Sequence, residues 1–528
     1  MKSLPSRQHG HPPRTRTPLP HAARFELSLL RVSVLLAFVV LLIAWLYLRA
    51  EWRIAGEWGY ALDDSWIYAT IARNLATGHG FSFNPGELAA GATGPLYTFI
   101  LALFYLLFHE VIWSGKIFGI LCHIGASVAI YSTVLGLLPE RRLLALTTAL
   151  LVASSPPLAW GMLSGMEIPL YLLLVCVGLA FYVRSRHLLA IVFWSIGVWA
   201  RPDGLFLVLL GILGPPREMA RRLAVSAPIL FTFFGFNYAV GGHWMPQTVS
   251  VKAHFGLNFL GRTWTILREW GELWGVPFRR SVMLDEPALL LPFLLLGAAL
   301  TIRRWPILVL YAIGFPLALS LFLDTTASEK RYILYVIPIG MILATLAWNQ
   351  IDLWMKQMKH RWRHAGMTAA AACLAMQVLI LPGRAESYGW NVQNINKIQI
   401  TLAKFAGMVT QAGDAIAVND IGAMGYFSGR YVVDLVGLVS PLRTLPEKLE
   451  HYRPKLLVVF VSWFPQYARD DPETGNFKFF DADSSHRYEL LAGVDLRNNT
   501  ICGGNRMTVY VRLGQDDPAP PKRWLYVF

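Results

Sequence analysis

Two adjacent carboxylates, Asp63 and Asp64, stand in the stretch ALDDSWIYATIARNLATGHGFSFNPGE, between two long apolar runs. Other polar groups sit in comparable places. SGMEIP carries Glu167, ARPDG carries Arg201 and Asp203, MPQTVSVKAHFG carries Lys252 and His254, and ASEKRY carries Glu329, Lys330, Arg331 and Tyr332. Lys252 and His254 lie in a long polar loop and the others close to the edges of apolar runs, where a charge is costly unless it faces water, a partner or an ion. Carboxylates there can hold a divalent cation, magnesium or manganese, or take the proton of a hydroxyl. Arginine and lysine there can bind phosphate. Arg73 and His79, on the helix and turn after the acidic pair, join Arg201, Asp203, Lys252, His254, Arg331 and Tyr332 as candidate substrate or phosphate ligands.

These residues need elements that carry them to one place. The chain has 528 residues, 55% of them hydrophobic and 15% charged, with a mean hydropathy of +0.44. A soluble globular chain carries about 25% charged residues, so the expectation is a polytopic α-helical membrane protein embedded in a lipid bilayer. Much of the net charge of +14 falls in short loops between apolar runs. That is the pattern that orients spans and not one that binds nucleic acid. The four cysteines show neither metal-type spacing nor a disulfide framework.

Residues 1–26 read as a cytoplasmic basic tail, with Lys2, Arg7, Arg14, Arg16 and Arg24. The first apolar run lacks a cleavage site and reads as a retained anchor. About eleven spans are expected, near 27–48, 111–138, 143–160, 167–183, 188–200, 203–214, 223–240, 287–302, 305–323, 332–349 and 367–382. This assignment puts PERR, RSRH, PPREMARR, RR and KQMKHRWRH in the cytoplasm, as the positive-inside rule asks. It requires Gly94–His109 to be interfacial or re-entrant, within a first external loop of 49–110. A second large external loop covers 241–286, and the membrane module ends near 383. Residues 384–528 read as a soluble external α/β domain, with strand-like runs AIAV, YVVDL, LLVVFV and TVYVR. The candidate acids and bases then all map to one membrane face.

Each residue also has a purely structural reading. Asp64 or Ser65 can cap a helix that stops at Gly78, although two acids are more than a cap requires. Glu167 can complement a helix dipole, Arg201 can snorkel, and Arg331 can anchor at an interface. GHGF is too short for a nucleotide loop and no P-loop pattern occurs, so no nucleotide cofactor is expected. Taken together, acids that activate a hydroxyl and bases that hold a phosphate at a membrane surface suit glycosyl transfer from a polyprenyl-phosphate sugar.

The stretch DDSWIYATIARNLATGHGFSFNPGE resembles the opening loop of the bacterial GT-C membrane glycosyltransferases, particularly relatives of the mycobacterial arabinofuranosyltransferases and polyprenyl-phosphate-sugar-dependent mannosyltransferases. SGMEIPLY, ARPDGLFL, MPQTVSVK and NDIGAMGYFSGRYVVDLVGLVSP resemble further segments of that group, in order, from about 60 to 440. The resemblance implies a GT-C-like fold with an interfacial helix before the second span. It also implies inverting transfer from a polyprenyl-phosphate sugar donor to a cell-envelope glycan, lipid or protein acceptor, at the outer face of the cytoplasmic membrane. Asp63, Asp64 and Glu167 take the catalytic or metal-ligand roles by that resemblance. The chain departs from the group after NPGE, where it reads LAAGATGPLY, and at Gln247, where Asn is usual. Arabinose specificity is therefore not carried over. A transporter or flippase of lipid-linked sugars is the rival reading, but it should show symmetric halves and mid-bilayer charges. A non-catalytic envelope-glycan-binding assembly protein is a second rival.

Overall fold

The computed structural model describes residues 21–252, 259–276, 285–321, 330–358, 361–440, 443–464, 479–480, 486–514, 516–518, 521 and 523–527. The helical unit opens with α1 (His21–Ala55), α2 (Asp64–Ala76), α3 (Pro95–Phe108), α4 (Ile112–Leu137), α5 (Arg142–Ala153), α6 (Pro156–Leu163), α7 (Ile168–Tyr182) and α8 (His187–Ala200). It continues with α9 (Leu205–Ile212), α10 (Pro216–Gly241), α11 (Gln247–Lys252), α12 (Phe259–Leu273), α13 (Leu290–Thr301), α14 (Pro306–Val309), α15 (Phe315–Ser320) and α16 (Ile337–Gln357). Finally α17 (Ala365–Ile395) runs through a π-helical turn into α18 (Thr401–Val409).

The described parts of the eleven apolar runs fall on helices or broken helices. Among the described residues five helices are long and apolar enough to cross a membrane by length and composition, and α5 with α6 makes a sixth, bent by 52°. The bend falls at Ser154–Ser155, just before Pro156 and Pro157. Proline disfavours a helical conformation in the residue before it and lacks an N–H of its own, so it starts a new helix. The chain is a multi-pass membrane protein with a C-terminal sheet domain. Its outer helices show apolar side chains outward, such as Phe38, Leu41 and Leu42 of α1 and Phe231 of α10, whereas Ile337–Ala344 of α16 are buried. α3 is only 14 residues long, about 21 Å. That is short of the roughly 30 Å apolar core of a bilayer.

The expected domain boundary at 383 falls inside a helix. Pro382 lies within α17 and does not end it. One lost hydrogen bond is tolerated there because α17 lies along α1 and tertiary contacts outweigh local propensity. The sheet domain begins later, with β1 (Ala415–Val418), α19 (Gly422–Phe427), β2 (Tyr431–Asp434), α20 (Leu445–Tyr452), β3 (Leu456–Val459), β4 (Phe479–Phe480), β5 (His486–Leu496), β6 (Arg506–Gly514) and β7 (Arg523–Val527). The strands lie in the order β2-β1-β3-β6-β5-β4, with β7 also pairing β5. The β2-β1-β3 half is parallel and the β3-β6-β5-β4 half antiparallel. Parallel β1 and β3 read as continuous apolar runs because both faces are covered.

Candidate active site

Asp63 and Asp64 begin α2, yet neither acts as its cap. Asp63 occupies the cap position but makes no side-chain cap bond. Its carboxylate instead accepts the N–H of Gly422 at 2.6 Å and of Ala423 at 2.8 Å, at the start of α19. Asp64 points elsewhere, to the Arg331 guanidinium at 2.7 Å. Neighbouring residues at a helix start are about 100° apart around the axis, so the two acids serve different partners.

A second ion cluster lies beside the first. Arg201 follows the end of α8 in extended conformation, with φ −153° and ψ 126°, as the residue before a proline prefers. Its Nε meets both Asp203 oxygens at 3.0 and 3.2 Å, and its Nη1 is hydrogen-bonded to Glu167. Glu167 precedes Pro169 at the start of α7 and is fully buried. The Tyr332 ring lies between the two arginines, 5.3 Å from Arg201 and 5.2 Å from Arg331. Tyr335 adds a second face to Arg201 at 5.1 Å. The structure thus brings Asp64, Glu167, Arg201, Asp203, Arg331 and Tyr332 into one cluster drawn from four stretches of chain. The Arg331 Nε is buried and has no hydrogen-bond partner among the described residues. Such a donor aimed into a polar site can take an anionic oxygen.

Other candidates fall elsewhere. Arg73 does not join the cluster. It lies nine residues along α2 from Asp64, about 13 Å by helical rise. It donates to the Tyr426 carbonyl at 2.7 Å and the Gly425 carbonyl at 3.1 Å, and lies over the Tyr426 ring at 4.5 Å. His79 is exposed on the turn after α2, with Nδ1 2.9 Å from the Thr77 hydroxyl. Lys252 ends α11, whose first residue, Gln247, donates to the Gly437 carbonyl at 2.8 Å and the Ser440 carbonyl at 2.5 Å. His254 and Glu329 lie outside the described residues.

Two residues at the cluster were not singled out from the sequence. Tyr335 sits one helical turn past Tyr332 and reads in sequence as part of a span. Asp420 comes from the sheet domain, where Gln399 donates to its carboxylate at 2.8 Å. Asp420 stands against Asp63 and senses the charges of Asp64 and Arg331. Burial and the Asp420 charge together push the Asp63 carboxyl well above the usual aspartate range. Burial likewise raises Asp420, with the Gln399 bond opposing and the Asp64 charge adding. The pair thus favours holding a proton. The one signal for Asp420 in sequence is an acid inside NDIGAMGYFSGRYVVDLVGLVSP, the stretch noted above for its resemblance.

The expected cation site on Asp63, Asp64 and Glu167 is not assembled by these carboxylates. The Asp63 oxygens take amides, Asp64 takes Arg331, and Glu167 takes Arg201. Among the described residues no three His, Cys, Asp or Glu side chains stand close enough to share a metal ion.

Residues 391–510 match a family model described as a domain of unknown function (DUF8728). No curated protein matches the chain. Solved structures do. The apo oligosaccharyltransferase of Archaeoglobus fulgidus aligns at 12% identity and a TM-score of 0.56, over 93% of this chain and 75% of that one. Apo ArnT from Cupriavidus metallidurans aligns at 12% and 0.54, over 93% and 98%. The same ArnT bound to undecaprenyl phosphate aligns at 12% and 0.51, over 89% and 97%. At this identity the likeness is one of fold, and it spans the helical unit and the sheet domain together: the chain shares the fold of these structures.

Proposed function

We propose that this protein transfers a sugar from a polyprenyl-phosphate-linked donor to a cell-envelope acceptor, at the outer face of the cytoplasmic membrane. The observation that carries the reading is the paired cluster of Asp64–Arg331 and Glu167–Arg201–Asp203. It joins a hydroxyl-activating carboxylate to guanidinium donors at the ends of apolar helices. A fold shared with a protein bound to undecaprenyl phosphate supports the donor class. The eleven-span topology and the mycobacterial-type subgroup belong to the same proposal.

In this reading Asp64 takes the proton of the acceptor hydroxyl as that oxygen attacks the anomeric carbon. The sugar–phosphate bond breaks, and the lipid phosphate leaves with the electron pair. Attack from the side opposite the phosphate inverts the anomeric centre. The free Nε of Arg331 stabilises the charge that grows on the leaving phosphate. Arg201 is already shared by Glu167 and Asp203, so its part is to hold those carboxylates. Lys252 is a further candidate phosphate ligand. The acidic cluster does not fit a metal as placed, so no step passes through one.

The test is transfer of labelled sugar from defined polyprenyl-phosphate donors in membranes of wild type and Asp64→Asn, each with and without chelator. Asp64→Asn should cut the rate by about 10²–10⁴-fold at normal expression, the usual contribution of a general base. Full activity in Asp64→Asn removes the base assignment. Loss of activity with chelator would return a cation to the mechanism.

A further inference from the structure

The sheet domain grips the first loop at several points from Asp63 to Glu87. At the near end, the Asp63 carboxylate takes two amides of α19. The fit depends on glycine: a Cβ at Gly422 would lie 2.0 Å from the Asp63 carbonyl oxygen. Midway, Arg73 binds the Gly425 and Tyr426 carbonyls. At the far end the Asn84 amide spans the N–H and C=O of Val432, at 2.9 and 3.0 Å, as a neighbouring strand would. Glu87 accepts from the Tyr431 hydroxyl at 2.9 Å. Beyond it the Asp434 carboxylate takes the amides of Val436, Gly437 and Val439 at 2.8, 2.9 and 2.7 Å. That folds 435–440 into the loop that receives Gln247.

Most of these bonds run from a first-loop side chain to the main chain of the sheet domain. Main-chain groups are placed by the fold, so they fix the position of whatever grips them. A domain tethered only to bind glycan needs no such register. The adjacent acids make the register matter. One carboxylate holds the sheet domain and the next holds Arg331, so a shift of one is transmitted to the other.

We propose that residues 391–510 serve as a clamp on the first loop, and that Asp63 is a positioning residue whose hold on Gly422 and Ala423 sets where Asp64 stands. This rests on the reading of Asp64 as the acceptor-activating carboxylate. The domain of unknown function thereby completes the site through Gly422, which lies 359 residues beyond Asp63 in sequence.

A staple can separate clamping from chemistry. A Cβ at Gly91 would lie 3.4 Å from the Val439 Cβ, near the roughly 3.5–4.5 Å of a disulfide. G91C/V439C should therefore tie the loop to the sheet domain without Asp63. Transfer rate and amide hydrogen exchange are compared in wild type, Asp63→Asn, the stapled protein and the stapled Asp63→Asn protein, with and without reductant. Asparagine offers one acceptor oxygen and turns an NH₂ toward an amide that needs an acceptor. Asp63→Asn should expose the amides of α2 and α19 to faster exchange. The rate should fall by about 10²-fold, as expected for a reacting group displaced by an ångström. Oxidation of the staple should restore both protection and most of the rate, and reductant should reverse the rescue. Asn84→Ala, at the far end of the grip, should act in the same direction but more weakly if Asp63→Asn fails to accumulate. Restored protection without restored transfer would overturn the proposal, because Asp63 would then act on the substrate. Exchange unchanged in Asp63→Asn would overturn it too. If the wild type transfers no sugar, the transferase reading falls, and exchange alone still decides whether the clamp exists.

Discussion

At the residue scale, Asp63 and Asp64 differ in their partners. Two adjacent acids look alike on paper, and only the direction of α2 sends one to α19 and the other to Arg331. The structure brings Glu167, Arg201, Asp203, Arg331 and Tyr332, each named from the sequence, into one cluster with Asp64. Asp420 was not legible there, because its chemistry depends on a neighbour far away in sequence. Arg331 carries a prediction at this scale. Arg331→Ala removes both the partner of Asp64 and the free donor, so transfer should fall on the order of 10²-fold, as for loss of one charge-stabilising donor. Arg331→Lys keeps charge but not the planar fork, and should recover donor binding better than turnover. Equal kcat in Arg331→Ala and wild type would remove Arg331 from the site.

At the scale of elements, the helices were legible because burial in a bilayer demands long apolar runs. The strands were legible in part. AIAV, YVVDL, LLVVFV and TVYVR became β1, β2, β3 and β6, all rich in β-branched residues. β5 was missed: HRYELLAGVDL mixes charges and Gly493 with apolar residues, and its pairing with β6 shifts register between Leu490 and Ala492. Pro382, just before the expected end of the membrane module, lies within α17, which continues past it. That continuity is testable. One alanine inserted after Glu386 turns everything beyond it by about 100° and lifts it by about 1.5 Å. The grip on Gly422, Ala423 and Val432 should be lost, and α2 amides should exchange as in Asp63→Asn. Retained protection would mean that the helix is not what sets the sheet domain in place.

At the scale of the whole molecule, the fold is a helical unit and a sheet domain joined through Asp63 and Asp420. Both carboxyls are raised above the ordinary aspartate range near 4. A raised folded pKa means that the pair's contribution is complete below that range and is lost as pH rises through the raised values. The docked sheet domain should therefore loosen with rising pH, as read by exchange of the Gly422 amide. Asp420→Asn should flatten the dependence, and an unchanged slope would place its origin elsewhere. The helix that carries the sheet domain has one more consequence. From Ala365 to Val409 it is 45 residues of helix, with one π-helical turn, about 67 Å of rise, against a bilayer core of about 30 Å. A head mounted on such a post has a fixed height and no reach. Under the proposed transfer, a site mounted on that helix acts on acceptors that come down to the membrane surface.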